Sequence, residues 1–155
     1  MKVVPDASCI LAFSSANRME LLLAILEKHE ILLTEQVFHE VKSCNPVELH
    51  KLIAKAKRIE ADSGNADQQG LHLGEASVIN AAKQTAGLAV LDDRRARSVA
   101  EKEGINFTGT AALLRKAIEK KLLSHPQAKE AVQDLCTNGK LFLSQEIRDW
   151  ILETT

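Results

Sequence analysis

The sequence lacks the features that mark several specialised classes of protein. Its three cysteines, Cys9, Cys44 and Cys136, are far apart and show no CxxC spacing, so they argue against a disulfide framework or a zinc site. No apolar run is long enough to span a bilayer, and the start, MKVV, has no signal-peptide pattern, so we expect a cytoplasmic protein with no membrane association. The formal net charge is −1, so no global basic field indicates simple electrostatic binding of nucleic acid.

Two common phosphate-binding motifs are also missing. The chain contains neither GxGxxG nor GxxxxGK followed by Ser or Thr, which argues against dinucleotide and P-loop sites. Its five histidines show no metal-ligand spacing such as HExxH. What remains is an ordinary globular composition, 45% apolar and 26% charged, and a length of 155 residues that fits one domain.

Short apolar runs alternate with segments of helical period, a pattern typical of a parallel sheet. The runs at 3–4, 31–33, 88–91 and 105–107 predict strands. Thr34 and Thr110 are candidate N-caps of the helices that follow two of these runs. Strands that alternate with helices in this way predict βαβ units and an α/β fold. Residues 63–70, SGNADQQG, are the most loop-like, and residues 124–155 predict two helices, the second with Ile147, Trp150 and Ile151 on one face.

Five acidic residues fall where an ordinary solvated surface explains them poorly. Asp6 directly follows the first predicted strand, and Asp92 and Asp93 follow the strand LAVL, at the edge where open parallel sheets bind ligands. Glu40 lies on the flank of a helix's apolar face, and Glu75 lies in a first helical turn, in line with the stripe that faces the core. Taken singly, most have a structural explanation, since Asp6 and Asp92 suit N-caps and Glu75 suits the positive end of a helix dipole.

Taken together, these carboxylates need protons, arginines or cations, because like charges in a low-dielectric site repel strongly. The nearest arginines, in the run DDRRAR, follow the acids along a helix, and some of them are expected to point to solvent. Hard divalent cations match an all-oxygen site best, so the sequence predicts Mg²⁺ or Mn²⁺. Ions held by carboxylates activate water and stabilise the leaving oxygen during phosphodiester or phosphoryl displacement.

Four segments, in this order along the chain, resemble the motifs of the PIN domain family. They are VVPDASCIL, LTEQVFHEV, LHLGEASVINAA and LAVLDDRRARSVAEKEGINFTGT. The resemblance covers most of the chain, and it implies a three-layer α/β/α fold around a central parallel sheet. It implies a PIN domain at 1–123 and a C-terminal helical extension at 124–155, which packs on the same domain or on a partner.

The resemblance also implies which acids form the site. Asp6, Glu40 and Glu75 match the acids of the first three motifs, and Asp93 best matches the aspartate that opens the last, with Asp92 beside it as a substitute or supporting ligand. Asp6 and Asp93 would then be the primary metal ligands, with Glu75 and Glu40 completing the site directly or through water. Relatives often carry an acid shortly before the GE pair, whereas this chain has His and Leu there.

The implied activity is Mg²⁺/Mn²⁺-dependent cleavage of RNA by an endoribonuclease. The branch that the chain most resembles includes VapC-like toxin nucleases, so we expect a toxin with an antitoxin partner and a homodimer. A PIN-like nucleic-acid-binding or regulatory module with weak catalysis is the alternative, and a solvated helix face explains the basic residues at least as well as RNA contact does. The candidates for RNA contact are polar residues near the last acidic motif: Arg94, Arg95, Arg97 and Thr110.

Overall fold

A computed structural model of the chain describes residues 1–64 and 66–153, with Asp67 described by its backbone alone. The strands in these ranges are β1 (Lys2–Pro5), β2 (Glu30–Thr34), β3 (Ala56–Ile59), β4 (Leu88–Val90) and β5 (Phe107–Thr108). The helices are α1 (Ala7–Ser15), α2 (Met19–Ile25), α3 (Glu35–Val41), α4 (Pro46–Lys55), α5 (Ala66–Gln69), α6 (Leu73–Thr85), α7 (Arg94–Lys102), α8 (Thr110–Glu119), α9 (His125–Thr137) and α10 (Gln145–Leu152). None of the helices described is long and apolar enough to cross a membrane.

The five strands form one parallel sheet in the order β3-β2-β1-β4-β5. The chain adds strands outward from β1 to β3, then returns to place β4 and β5 on the other side of β1. Because crossovers between parallel strands are right-handed, these two sets of connections place their helices on opposite faces of the sheet. The predicted three-layer α/β/α fold with a parallel sheet is therefore confirmed.

The centre of the sheet is the most deeply buried part of the molecule. Val3 and Val4 of β1, like Ala89 and Val90 of β4, are fully buried, as expected for parallel strands covered by helices on both faces. The strand order reverses between these two strands, which pair directly with each other. Ligands of open α/β sheets bind at such a switch point, beyond the carboxyl ends of the strands.

The tail packs on the sheet domain of the same chain. Helix α9 lies against α1, where Leu135 is fully buried and Arg18 forms an ion pair with Asp134 at 2.9 Å. Gly139 passes so close to α1 that a Cβ atom there would lie 2.5 Å from the carbonyl oxygen of Ala12. The last helix, α10, contacts α8 and α9.

The apolar face predicted for the last helix is only partly covered. Ile151 is fully buried, whereas Ile147 and Trp150 are each more than one-third exposed. The chain therefore leaves an aromatic and an aliphatic side chain of this face available at the surface.

Some elements differ from the sequence interpretation. The strand β3 was not predicted, because the side chains of its middle residues, Lys57 and Arg58, are exposed and give no apolar run. It forms an edge of the sheet, where charged side chains are common. The segment 63–70, predicted as a loop, contains the short helix α5, and its residue Asn65 lies outside the described residues.

Candidate active site

Asp6 lies at the carboxyl end of β1 and begins α1. Its backbone N–H donates to the carbonyl oxygen of Val90 in β4 at 3.1 Å, and its Oδ1 accepts the N–H of Cys9 at 2.9 Å. The side chain is only 2% exposed. Asp6 is therefore both a helix N-cap and a buried carboxylate at the switch point, so the two interpretations of this residue are compatible.

Asp92 follows β4, the neighbouring strand, and its carboxylate is held by Thr110. The N–H of Thr110 donates to Oδ1 at 2.8 Å, and the Thr110 hydroxyl donates to Oδ2 at 2.5 Å. The N-cap of α8 is Gly109, which has no side chain to satisfy the first turn, so the prediction of Thr110 as the N-cap was wrong. The Asp92 carboxylate, which comes from another loop, accepts the Thr110 N–H at the start of α8 in place of an N-cap side chain. Thr110 is fully buried and faces this carboxylate rather than solvent.

Asp93 points to a different part of the site. Its Oδ2 accepts the N–H of Ala96 at 3.0 Å, which makes it the N-cap of α7, and the residue is exposed. Its charge contributes to the raised pKa of Glu75, whereas the charge of Asp92 contributes to the raised pKa of Asp6. The charge of Asp92 therefore acts on Asp6 at the end of β1, whereas the charge of Asp93 acts on Glu75 in α6.

Glu75 and Glu40 meet at the first turn of α6. The Oε1 of Glu75 accepts the N–H of His72 at 3.1 Å, which fixes the carboxylate at the positive end of the helix. The side chain of Glu40, which comes from α3, lies against Gly74, where any Cβ atom would overlap its carboxylate. The absence of a Cβ atom at Gly74 leaves the space that the Glu40 carboxylate occupies.

The acids are mutually repulsive and partly removed from water. Burial raises the pKa of Asp6 from 3.8 to about 7, and the charges of Asp92 and Glu75 add to this effect, while the N–H of Cys9 opposes it. The pKa of Glu75 is also raised, first by burial and then by the charges of Asp93 and Glu40, against the N–H of His72. Asp6 and Asp92 follow the paired strands β1 and β4, and Glu75 is close enough for its charge to raise the pKa of Asp6.

The basic residues near this crevice do not neutralise it. Within residues 1–64 and 66–153, no lysine or arginine forms an ion pair with any of the five acids. Arg94, Arg95 and Arg97 are exposed at the start of α7, as some of them were expected to be. The Arg95 guanidinium packs over Gly70, and that of Arg97 lies over the ring of Phe107 at 5.4 Å.

The donor set suits a hard divalent cation by its chemistry. Every candidate ligand is a carboxylate oxygen, the ligand that Mg²⁺ and Mn²⁺ prefer. As the side chains are placed, no three His, Cys, Asp or Glu residues of the described chain converge closely enough to hold one ion. The residues that would hold a metal are Asp6, Asp92 and Glu75. They are assigned because the charges of Asp92 and Glu75 act on Asp6, and not because they form a preformed coordination geometry.

Two features of the site carried no clear signal in the sequence. The contact between Glu40 and Gly74 joins α3 to α6, and nothing local indicates it. The sequence gives a weak indication of the bond between Thr110 and Asp92. A glycine at the N-cap position leaves the first turn of a helix without a side-chain acceptor, so an acceptor from another segment is expected. Thr110 was named from the sequence as a candidate for RNA contact, whereas in the structure its hydroxyl binds the Asp92 carboxylate.

Comparison with known proteins agrees with this architecture. A family model described as a PIN domain matches residues 2–155, so the chain belongs to the PIN domain family. The solved structures that match include the crystal structure of PAE2754 from Pyrobaculum aerophilum, with a TM-score of 0.54 and 19% identity over 76% of this chain and 99% of that one. At this identity the likeness shows the fold alone, and no curated protein matches the chain. PIN domains are typically nucleases, so the fold is of a nuclease type.

Proposed function

We propose that this protein is a Mg²⁺- or Mn²⁺-dependent ribonuclease that hydrolyses RNA phosphodiester bonds at the crevice between β1 and β4. The observation that carries the proposal is that Asp6 at the end of β1 feels the charges of both Asp92 and Glu75, while no lysine or arginine of the described residues forms an ion pair with any of the three. Uncompensated carboxylates in a partly buried site are costly, and cation binding removes that cost.

The residues of the chain would act by position and charge. Asp6 is fixed by the N–H of Cys9, and Asp92 is fixed by Thr110, so both carboxylates present oxygens in defined orientations. Glu75, held by the N–H of His72, and Glu40 complete the acidic wall. A bound divalent cation would supply an activated water and stabilise charge on the phosphate. Asp93 would support this wall from the start of α7.

The test is cleavage of total RNA by purified protein with Mn²⁺, with cleavage-site mapping. Asp6→Asn and Asp92→Asn should each lower the rate at least 100-fold, since ionised ligands are replaced by neutral amides. Glu130→Gln, an exposed carboxylate on α9, is the matched control and should cut as the wild type does. Cleavage that is equal in the wild type and in Asp6→Asn would refute the proposal.

A toxin role within this function would add an antitoxin segment over the crevice and a homodimer, both taken from the family. Expression of the wild type should then arrest growth, while Asp6→Asn should not. Growth without arrest would remove the toxin role only.

The second candidate is a PIN-like module that binds nucleic acid without efficient cleavage. It is favoured by one observation, the absence in the described residues of three side chains that converge on a metal position. Binding of RNA by the wild type that is unaffected by Mn²⁺, with no cleavage, is the result expected of such a module.

A further inference from the structure

A groove of about 930 Å³ begins at Asp92 and runs between α7 and the tail. We call it the tail groove. Its walls come from α7, from the turn into α8 and from residues 141–150. The volume lies within the range of about 300–1,000 Å³ that is usual for ligand sites. None of the candidate acids except Asp92 lines it, so it is a separate surface that adjoins the candidate active site.

The tail groove concentrates the aromatic residues of the chain. The sequence has four phenylalanines, one tryptophan and no tyrosine, and three of these five aromatics line the groove: Phe107, Phe142 and Trp150. Phe142 is 95% exposed and Trp150 is 39% exposed. Exposed aromatics that share one concave surface mark a contact site, whereas isolated ones do not.

Arginine side chains accompany these rings. The Arg97 guanidinium lies over Phe107, and that of Arg115 lies 4.6 Å from the ring centre of Trp150 while its Nη1 donates to the Trp150 carbonyl oxygen at 2.6 Å. Arg115 therefore holds the indole in place on one side. Arg94 and Arg97 line the groove from the first turns of α7, which begins shortly after Asp92 in the chain.

Resting on the proposed function, we propose that the tail groove binds an unpaired nucleotide next to the cleaved phosphodiester, with its base stacked on Phe142. Asp92 belongs both to the candidate active site and to the lining of the tail groove. An RNA strand whose phosphate lies at the acids can therefore extend from Asp92 into the groove. Arg94 and Arg97 stand at that junction, where the backbone phosphates pass. Glu101 and Glu146 also line the groove, and they do not repel a base, because a base carries no charge.

Trp150 is the only tryptophan, so its fluorescence reports on this groove directly. The probe is a single-stranded RNA octanucleotide, titrated into the Asp6→Asn protein so that it is not cut. We expect quenching of Trp150 and a dissociation constant that Phe142→Ala raises about 5- to 150-fold, the range for loss of one stacked base. Because Phe142 is almost fully exposed, its replacement should leave the circular dichroism melting curve unchanged.

A matched pair of arginine variants separates the groove from general charge effects. Arg97 and Arg58 each lie over a phenylalanine ring, but Arg58 contacts Phe38 on the β3 side of the molecule. Arg97→Ala should weaken RNA binding, and Arg58→Ala should not. The same contact can be tested by removing one base at a time from the octanucleotide. At the position whose base stacks on Phe142, removal of the base should weaken binding to the Asp6→Asn protein. It should not weaken binding further when Phe142→Ala is also present.

Three outcomes would overturn the inference, and they are distinguishable. If Phe142→Ala and Arg97→Ala bind RNA as tightly as their parent, while Asp6→Asn abolishes cleavage, the groove assignment fails and the proposed function stands. If Phe142→Ala changes the molar mass measured by light scattering but leaves RNA affinity unchanged, the groove is a protein interface. If the wild type neither cuts nor binds RNA, the proposed function fails together with the inference.

Discussion

Replacing Asp6 with asparagine should stabilise the metal-free protein at neutral and alkaline pH, although it removes a proposed metal ligand. The wild-type carboxyl is 2% exposed, and burial raises its pKa from 3.8 to about 7. A raised pKa in the folded state means that the folded protein binds a proton more tightly than the unfolded chain does. The corresponding stability is fully present below about pH 4 and is lost as the pH rises through about 7.

The size of this effect follows from the shift. A difference of about three pH units, at ~1.4 kcal/mol for each unit, gives an upper bound of about 4 kcal/mol in the free energy of unfolding. Asparagine cannot ionise in this range, so the variant does not lose this contribution. It also remains a good N-cap, so the bond from the N–H of Cys9 is retained. The gain therefore comes from removing an uncompensated buried charge.

The assay is urea denaturation in EDTA, followed by far-UV circular dichroism at pH 4.5 and pH 8. The wild type should lose up to about 3 kcal/mol more than Asp6→Asn between these two pH values, because part of the full effect is already lost at pH 4.5. Glu75 adds to the loss in both proteins, so only their difference is interpreted. Glu130→Gln is the control, because it also replaces a carboxylate by an amide but at an exposed position on α9 outside the acidic site, and its pH profile should follow that of the wild type. Identical pH profiles for the wild type and Asp6→Asn would refute the burial of an uncompensated charge.

Three further substitutions test the supports of the site and of the tail. Gly74→Ala should displace Glu40 and lower Mn²⁺-dependent cleavage about 10-fold, as loss of a supporting contact typically does; unchanged kcat/KM would contradict that contact. Thr110→Val should leave an Asp92 oxygen without its donor and cost about 1–3 kcal/mol in urea denaturation, while Thr110→Ser should restore most of it; a neutral valine variant would contradict the bond. Gly139→Ala should cost about 1–3 kcal/mol, because its Cβ would overlap carbonyl oxygens of α1 and α9; an unchanged urea midpoint would show that the tail can shift without cost.

The adjacent residues Asp92 and Asp93 have different neighbours in the structure. Both residues follow a strand, and the resemblance favoured Asp93 as the primary ligand. In the structure, Asp92 lies beside Asp6, while Asp93 caps α7 and lies near Glu75. Adjacent residues at the end of a strand point in different directions, and which of them faces the crevice depends on the turn that follows.

Edge elements were harder to predict than central ones. Helix α4 begins with Asn45 as N-cap and Pro46 at its first position, signals that were present in the sequence and were not used. Strand β3 had no such signal, because two of its four residues are charged and exposed. A central strand is buried on both faces and therefore shows a continuous apolar run, whereas an edge strand is paired on one side only and needs none.

The sequence by itself determined the α/β class, the central strands and the acids at the ends of strands. These features depend on local periodicity and on residue type, which a short window of the chain contains. Only the tertiary structure decided the strand order, the neighbours of Asp6, the approach of Glu40 to Gly74 and the groove between α7 and the tail. Each of these joins segments distant in the chain, and such contacts depend on the packing of whole layers. Asp6 is therefore a strand-end carboxylate by sequence, and a neighbour of Asp92 and Glu75 by fold.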